Sequence, residues 1–127
     1  SEGIAAADVD RDGDRDLLVG DFWYEAPAWT PHRLRKGPDL GDGAPSWSER
    51  FACFADDVDG DGLPEQIVVG FAGKRGLWYR NPGQGKGEWA MHEFAPSVCN
   101  ESPQGVDLLG KGTKGLLCGT QPGGEIC

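Results

Sequence analysis

The sequence predicts an all-β protein built from repeats, and three observations support that prediction. An acidic segment at residues 8–16 returns at residues 57–65 and, in altered form, at residues 107–115, so the copies begin 49 and 50 residues apart. Self-similarity at a fixed period of about 40–50 residues is typical of repeat architectures. Short apolar runs follow the first two copies directly, as expected for buried strands. The 127 residues also include 21 glycines and 9 prolines, which suit a chain rich in turns.

The pattern predicts four strands in each of the first two repeats. In the first repeat they are residues 3–7, 16–20, 22–25 and 31–35. In the second they are residues 51–55, 66–70, 76–80 and 91–94. Each acidic segment therefore forms the loop between the first and second strands of its repeat.

The first loop carries a carboxylate on every second residue, the second does so except at Leu63, and both have a glycine at the sixth position. Such carboxylates can turn inward together, and glycine permits the sharp bend. Ca²⁺ takes roughly six to eight oxygen ligands, so we expect two calcium sites. The first would use the side chains of Asp8, Asp10, Asp12 and Asp16 and the carbonyl of Asp14. The second would use Asp57, Asp59, Asp61 and Glu65 and the carbonyl of Leu63.

Two other interpretations of these loops, a solvated acidic turn and an EF-hand, fit the residues less well. A solvated acidic turn without an ion would leave five carboxylates of the first loop facing only Arg11 and Arg15, at a cost in stability. An EF-hand would need a glutamate at loop position 12, where this chain has Val19 or Val68. It would also need flanking helices, whereas the flanks here are typical of strands.

The third copy keeps Asp107 and Gly112 but has Leu109, Lys111 and Gly115 at expected ligand positions. We expect no metal there. The hypothesis for this loop is that the ammonium of Lys111 lies where the ion would be, as an internal cation.

Aromatic motifs repeat along with the loops: Phe22-Trp23-Tyr24 and Leu77-Trp78-Tyr79 are each followed by a second tryptophan and a histidine. Together with the loops, they resemble the FG-GAP/VCBS repeats of extracellular, integrin-alpha-like β-propellers, in which such a loop binds Ca²⁺ between two strands of a blade. The resemblance implies blades of four antiparallel strands at about residues 1–48, 49–100 and 101–127, the last truncated. It therefore implies an incomplete propeller, with the remaining blades in a longer chain.

Because the aromatic pairs and the histidines recur at equivalent positions, we expect them to pack in the core rather than to bind sugar or catalyse. The resemblance leaves two functions open for the whole protein. One is a module that binds or scaffolds a protein or carbohydrate ligand, with calcium in a structural role. The other is the propeller portion of a carbohydrate-active enzyme, similar to propellers of lyases and aldos-2-ulose dehydratases, so enzymatic activity stays open.

A second candidate site would lie on the channel face opposite the calcium loops. An acidic residue precedes each innermost strand, namely Glu2, Glu49 and Glu101. With Trp47, Arg50 and Asn100 they would form an arc that binds sugar hydroxyls or a second metal, or works as an acid–base pair. The alternative is that each glutamate caps a turn or pairs with a neighbouring blade. The insertion at residues 36–48 is a further candidate for a binding loop.

The net charge of −9 argues against nucleic-acid and anionic-membrane partners. No stretch approaches the roughly 20 apolar residues of a membrane span. Calcium at millimolar levels is typical of an extracellular or periplasmic location. Cys118 and Cys127 flank a segment that predicts a hairpin, and a disulfide between them and two free thiols are both open.

Overall fold

The computed structural model describes residues 3–35, 50–71, 73–98, 102–112 and 114–119, which form ten β-strands and no helix. The first sheet contains β1 (Ile4–Ala7), β2 (Asp16–Val19), β3 (Phe22–Glu25) and β4 (Thr30–Arg33). The second contains β5 (Ala52–Asp56), β6 (Glu65–Val69), β7 (Gly76–Arg80) and β8 (Ala90–Ala95). The third element is a strand pair, β9 (Gln104–Val106) and β10 (Gly115–Leu117).

The strands of each sheet follow one another in chain order, and all neighbours are antiparallel. The expected all-β fold is therefore confirmed, and two separate four-stranded sheets followed by a strand pair are consistent with an incomplete, propeller-like fragment. The acidic loops occupy equivalent places in the three sheets. Ala7 pairs with Asp16, Asp56 with Glu65, and Val106 with Gly115, so each loop closes the hairpin of the first two strands.

The main core lies between the first two sheets. Leu18 and Trp23 of the first sheet are fully buried against Val68 and Tyr79 of the second. The prediction that the aromatic pairs pack in the core is thus confirmed for Trp23 and Tyr79. Burial of such side chains stabilises each by about 1.5–3 kcal/mol relative to exposure, which makes the contact between sheets a main source of stability.

Buried polar groups fix how the two sheets meet. Gln66 Nε2 donates to the carbonyl of Gly20 at 3.1 Å, and Asn81 Nδ2 donates to the carbonyl of Val9 at 2.9 Å. Because a buried polar group without a partner is costly, each of these bonds selects one placement of the second sheet on the first. The Asn81 bond also joins the first acidic loop to the second sheet.

Each tryptophan of the repeated motif stacks on a histidine of the neighbouring strand. The ring centroids of Trp23 and His32 are 4.3 Å apart with planes 16° from parallel, and those of Trp78 and His92 are 4.3 Å apart at 17°. The histidines thus extend an aromatic cross-strand pair. This arrangement agrees with the expected structural role.

A second cluster packs the strand pair against the second sheet through Val69, Ala95, Val98 and Cys118. Cys118 is disulfide-bonded, so the alternative of two free thiols is wrong for this residue. Its partner lies outside the described residues, and the bond to Cys127 stays a hypothesis. Cys53 is a free, buried thiol in the main core, and burial raises its pKa to about 11.

The second residue of each acidic loop becomes more exposed along the chain. Val9 is 0% exposed, Val58 45% and Leu108 70%. Val9 is covered because the turn after β7 contacts it. Val58 and Leu108 are covered progressively less by other described residues.

The turn after β7 offers a test of the contact between the first two sheets. Gly83 (φ +107°) and Gly85 (φ +64°) both have backbone conformations that favour glycine. A Cβ at Gly85 would lie 2.6 Å from a ring carbon of Trp23, whereas one at Gly83 would meet nothing within 4 Å. We expect Gly85→Ala to lower the free energy of unfolding by about 3 kcal/mol, since conformational strain and overpacking add.

Gly83→Ala is the matched control and should cost about 1 kcal/mol, from backbone strain alone. Both values come from urea unfolding followed by tryptophan fluorescence. Equal losses in the two variants would contradict the packing of Trp23 beneath Gly85.

Candidate metal sites in the acidic loops

All three acidic loops have the same backbone framework. The first aspartate of each accepts a hydrogen bond from the amide of the sixth residue, a glycine with positive φ. These bonds join Asp8 to Gly13 (3.1 Å), Asp57 to Gly62 (2.8 Å) and Asp107 to Gly112 (2.6 Å). Since the third copy lacks the later carboxylates, this framework forms without the full ligand set.

In the first loop, Asp8, Asp10 and Asp16 each offer a carboxylate oxygen, and these oxygens lie within 4.8 Å of one another. Asp16 is fully buried and the other two are half-buried. Asp8 Oδ1 is itself buried and accepts no hydrogen bond from any described residue. A buried carboxylate oxygen without a donor is the kind of group that a bound cation satisfies, so these residues fit a metal ion.

In the second loop, the corresponding set is Asp57, Asp59 and Asp61, whose oxygens also lie within 4.8 Å of one another. All three are exposed. Six of the predicted side-chain ligands are therefore brought together, three in each loop. Asp12 and Glu65 are not members of these sets, and the carbonyls of Asp14 and Leu63 stay predicted ligands.

The last carboxylate of each loop, Asp16 or Glu65, also anchors the loop to the end of the third strand of its sheet. Asp16 accepts hydrogen bonds from the amides of Val9 (2.8 Å) and Ala26 (2.9 Å). Glu65 accepts them from the amides of Val58 (2.8 Å) and Asn81 (3.4 Å). These equivalent bonds give both residues a structural role, which is to hold the loop against the third strand. The sequence predicted them only as metal ligands.

Burial and mutual repulsion act on the carboxyl groups of the loops. Desolvation raises the pKa of Asp10, and the charges of Asp12, Asp16 and Glu25 raise it further. Desolvation likewise raises the pKa of Glu65 against the opposing effect of its two amide bonds. In both cases burial disfavours the charged form of that carboxyl group, and a nearby cation would offset this effect.

The third loop does not show the expected contact of Lys111. Its backbone amide, not its ammonium, binds Asp107, at 3.0 Å. Backbone amides, chiefly those of Gly112 and Lys111, lower the pKa of Asp107. Among the described residues a cationic side chain contacts the second loop instead, since Nε of the exposed Arg80 lies 2.6 Å from Asp59 Oδ2.

Arg80 was missed by the sequence interpretation because it enters from the end of β7, 21 residues after Asp59. The signal was present in the repeated motif, where Trp23-Tyr24 is followed by Glu25 and Trp78-Tyr79 by Arg80.

Of the predicted channel-face residues, the structure describes only Arg50. It is buried, and its Nη2 lies 2.6 Å from Asp21 Oδ1, which also pairs with Arg35 Nε at 2.7 Å. Glu2, Trp47, Glu49, Asn100 and Glu101 lie outside the described residues, as does the insertion at residues 36–48. Arg50 thus belongs to an ion-pair network at the end of β4.

Comparisons with protein-family models, with curated proteins and with solved structures found no match. The resemblance to FG-GAP/VCBS repeats therefore rests on the residues of this chain. Among the described residues, no helix is long and apolar enough to cross a membrane.

Asp16→Asn tests the anchoring role of the last carboxylate. An asparagine keeps the size of the side chain, but one of its two polar groups is an NH₂, which cannot accept the backbone N–H that faces it. We therefore expect the free energy of unfolding of the metal-free protein to fall by about 1–3 kcal/mol. Asp14→Asn removes the same charge from an exposed side chain and should change stability by less than about 0.5 kcal/mol. Chemical unfolding in excess chelator measures both, and equal effects would refute the anchor.

The raised pKa of Glu65 predicts a pH dependence in the metal-free protein. The protonated carboxyl favours the folded state, so its contribution to stability is largest below the ordinary pKa of 4.5 and declines as the pH rises through the raised pKa. We expect the difference in free energy of unfolding between wild type and Glu65→Gln to decrease as the pH is raised from about 4 to about 7. A difference that rises with pH would show that the pKa is lowered instead.

Proposed function

We propose that the protein is a calcium-binding propeller repeat module of the FG-GAP/VCBS type that serves binding or scaffolding, with calcium in a structural role. The observation that carries this proposal is a repeated geometry. Two loops 49 residues apart, closing equivalent hairpins of two four-stranded sheets, each gather three carboxylates within 4.8 Å.

The chemistry of the donors favours calcium. Both clusters consist of carboxylates, which are the ligands of hard cations, and neither contains the cysteine or histidine typical of zinc sites. Ca²⁺ accepts irregular sets of carboxylates, carbonyls and water, whereas Mg²⁺ requires a near-ideal octahedron and gives up its water reluctantly. Irregular clusters of three carboxylates, half-buried or buried in the first loop and exposed in the second, suit the first ion better.

The position of the loops supports a structural role for the ion. Each loop joins two strands and is anchored to the third through Asp16 or Glu65. An ion in the loop would hold these three strands together and offset part of the net charge of −9. The disulfide bond of Cys118 favours an oxidising compartment, in agreement with an extracellular or periplasmic location where calcium is plentiful.

Arg50 bears on the alternative of a carbohydrate-active enzyme with a channel-face site. Its guanidinium is buried in ion pairing with Asp21, as expected for a structural residue. Arg50 is thus accounted for without a channel-face site. The ligand of the proposed module would be a protein or a carbohydrate, and its partners would include further blades.

A calorimetric Ca²⁺ titration of metal-stripped protein, with a thermal melt at each end, tests the proposed function. We expect two equivalents to bind and the melting temperature to rise, since a site at a ligand concentration 100 times its Kd adds about 2.7 kcal/mol. Asp10→Asn should remove one equivalent and Asp59→Asn the other, while Asp14→Asn should keep both. Absence of binding by the wild type, or equal stabilisation by Mg²⁺, would contradict the proposal.

A further inference from the structure

The two carboxylate clusters differ in the charge placed beside them. At the end of β7, Arg80 Nε lies 2.6 Å from Asp59 Oδ2, and its Nη2 lies 3.8 Å from Asp61 Oδ2. At the equivalent end of β3 the chain has Glu25. The same structural position thus carries a cation in the second loop and an anion in the first.

A second arginine reaches the second loop from the first sheet. Arg11 donates from Nη2 to the carbonyl of Asp61 at 2.9 Å and from Nε to the carbonyl of Gly62 at 3.2 Å. Arg11 has a φ of +63° at the loop position where the other copies have Gly60 and Gly110. Arg11 thus belongs to the first loop and has a strained backbone there, while its guanidinium contacts the second loop.

The first loop lacks a comparable cation in its described contacts. Glu25 instead pairs with His32, whose Nε2 lies 2.6 Å from Glu25 Oε2. With Asp16 fully buried, the first cluster is the more desolvated and the more negative of the two.

From these contacts we propose that Arg80, assisted by Arg11, is the built-in counter-cation of the second loop, and that the two loops are consequently unequal sites. The second loop is partly charge-compensated without metal and takes calcium only by displacing Arg80 from Asp59 and Asp61. The first loop has no such competitor among the described residues and is the tighter site. The inequality of the sites rests on the proposed calcium binding, whereas the counter-cation role does not.

The exchange of Arg80 and Glu25 gives a reciprocal test. In an Asp10→Asn background, where only the second site binds, Arg80→Glu should lower the Kd for Ca²⁺ by up to about fivefold, because it removes the competing ion pair. In an Asp59→Asn background, Glu25→Arg should raise the Kd of the first site by a similar factor. Arg75→Glu is the control, because it makes the same change of charge at an arginine that pairs with Glu93, at 3.6 Å, and not with a loop. It should leave the Kd of both calcium sites unchanged.

A second measurement tests the counter-cation without metal. In excess chelator, Arg80→Glu should lower the urea midpoint of unfolding more than Arg75→Glu does, since it leaves Asp59 and Asp61 uncompensated. An unchanged Kd of the second site in Arg80→Glu would overturn the competition by Arg80. A first-site Kd in Asp59→Asn that is no lower than the second-site Kd in Asp10→Asn would overturn the inequality of the sites, and equal midpoints of the two variants would overturn the counter-cation. If wild type binds no calcium, the proposed function fails, and the midpoints still decide the role of Arg80.

Discussion

The buried carboxylates of Asp16 and Glu65 are the contacts on which the two sheets depend. Each accepts two backbone amide bonds, one from its own loop and one from the residue after the third strand. A hairpin alone would leave its loop free to move relative to the rest of the sheet. These carboxylates instead fix the loop against the strand that carries the core aromatic residues Trp23 and Tyr79.

The same anchoring creates an electrostatic problem. A carboxylate held in a fully buried position next to further aspartates is disfavoured both by desolvation and by repulsion. The two loops meet this problem differently, since the second has Arg80 beside Asp59 and the first has no equivalent cation among the described residues. One repeated fold element therefore carries two different electrostatic environments, and the residue at the end of the third strand, Glu25 or Arg80, distinguishes them.

The sequence predicted the fold well because its signals are local. All the strands of the first two sheets were located from the period of the acidic loops, the glycines within them and the apolar runs after them. The bounds of Phe22–Glu25 and Gly76–Arg80 were predicted as observed. The six clustered aspartates were predictable from alternation along the loops. The amide partners of Asp16 and Glu65 were not, because they depend on how closely a third strand approaches.

Arg80 and Arg11 illustrate what a local pattern omits. Arg80 acts on residues a whole hairpin away, and Arg11 acts across the contact between two sheets. Their roles depend on the packing of neighbouring elements, which spacing along the chain does not reveal. Comparison of equivalent positions between repeats does reveal where such differences fall, as the exchange of Glu25 for Arg80 shows.

The rising exposure of Val9, Val58 and Leu108 has a consequence for how stability is distributed. In a stack of repeats, the energy of each unit is the sum of its own contribution and that of the contact with its neighbour. Among the described residues, Val9 is covered by the neighbouring sheet and Leu108 is not. Opening of the loop between β9 and β10 should therefore cost less free energy than opening of the loop between β1 and β2.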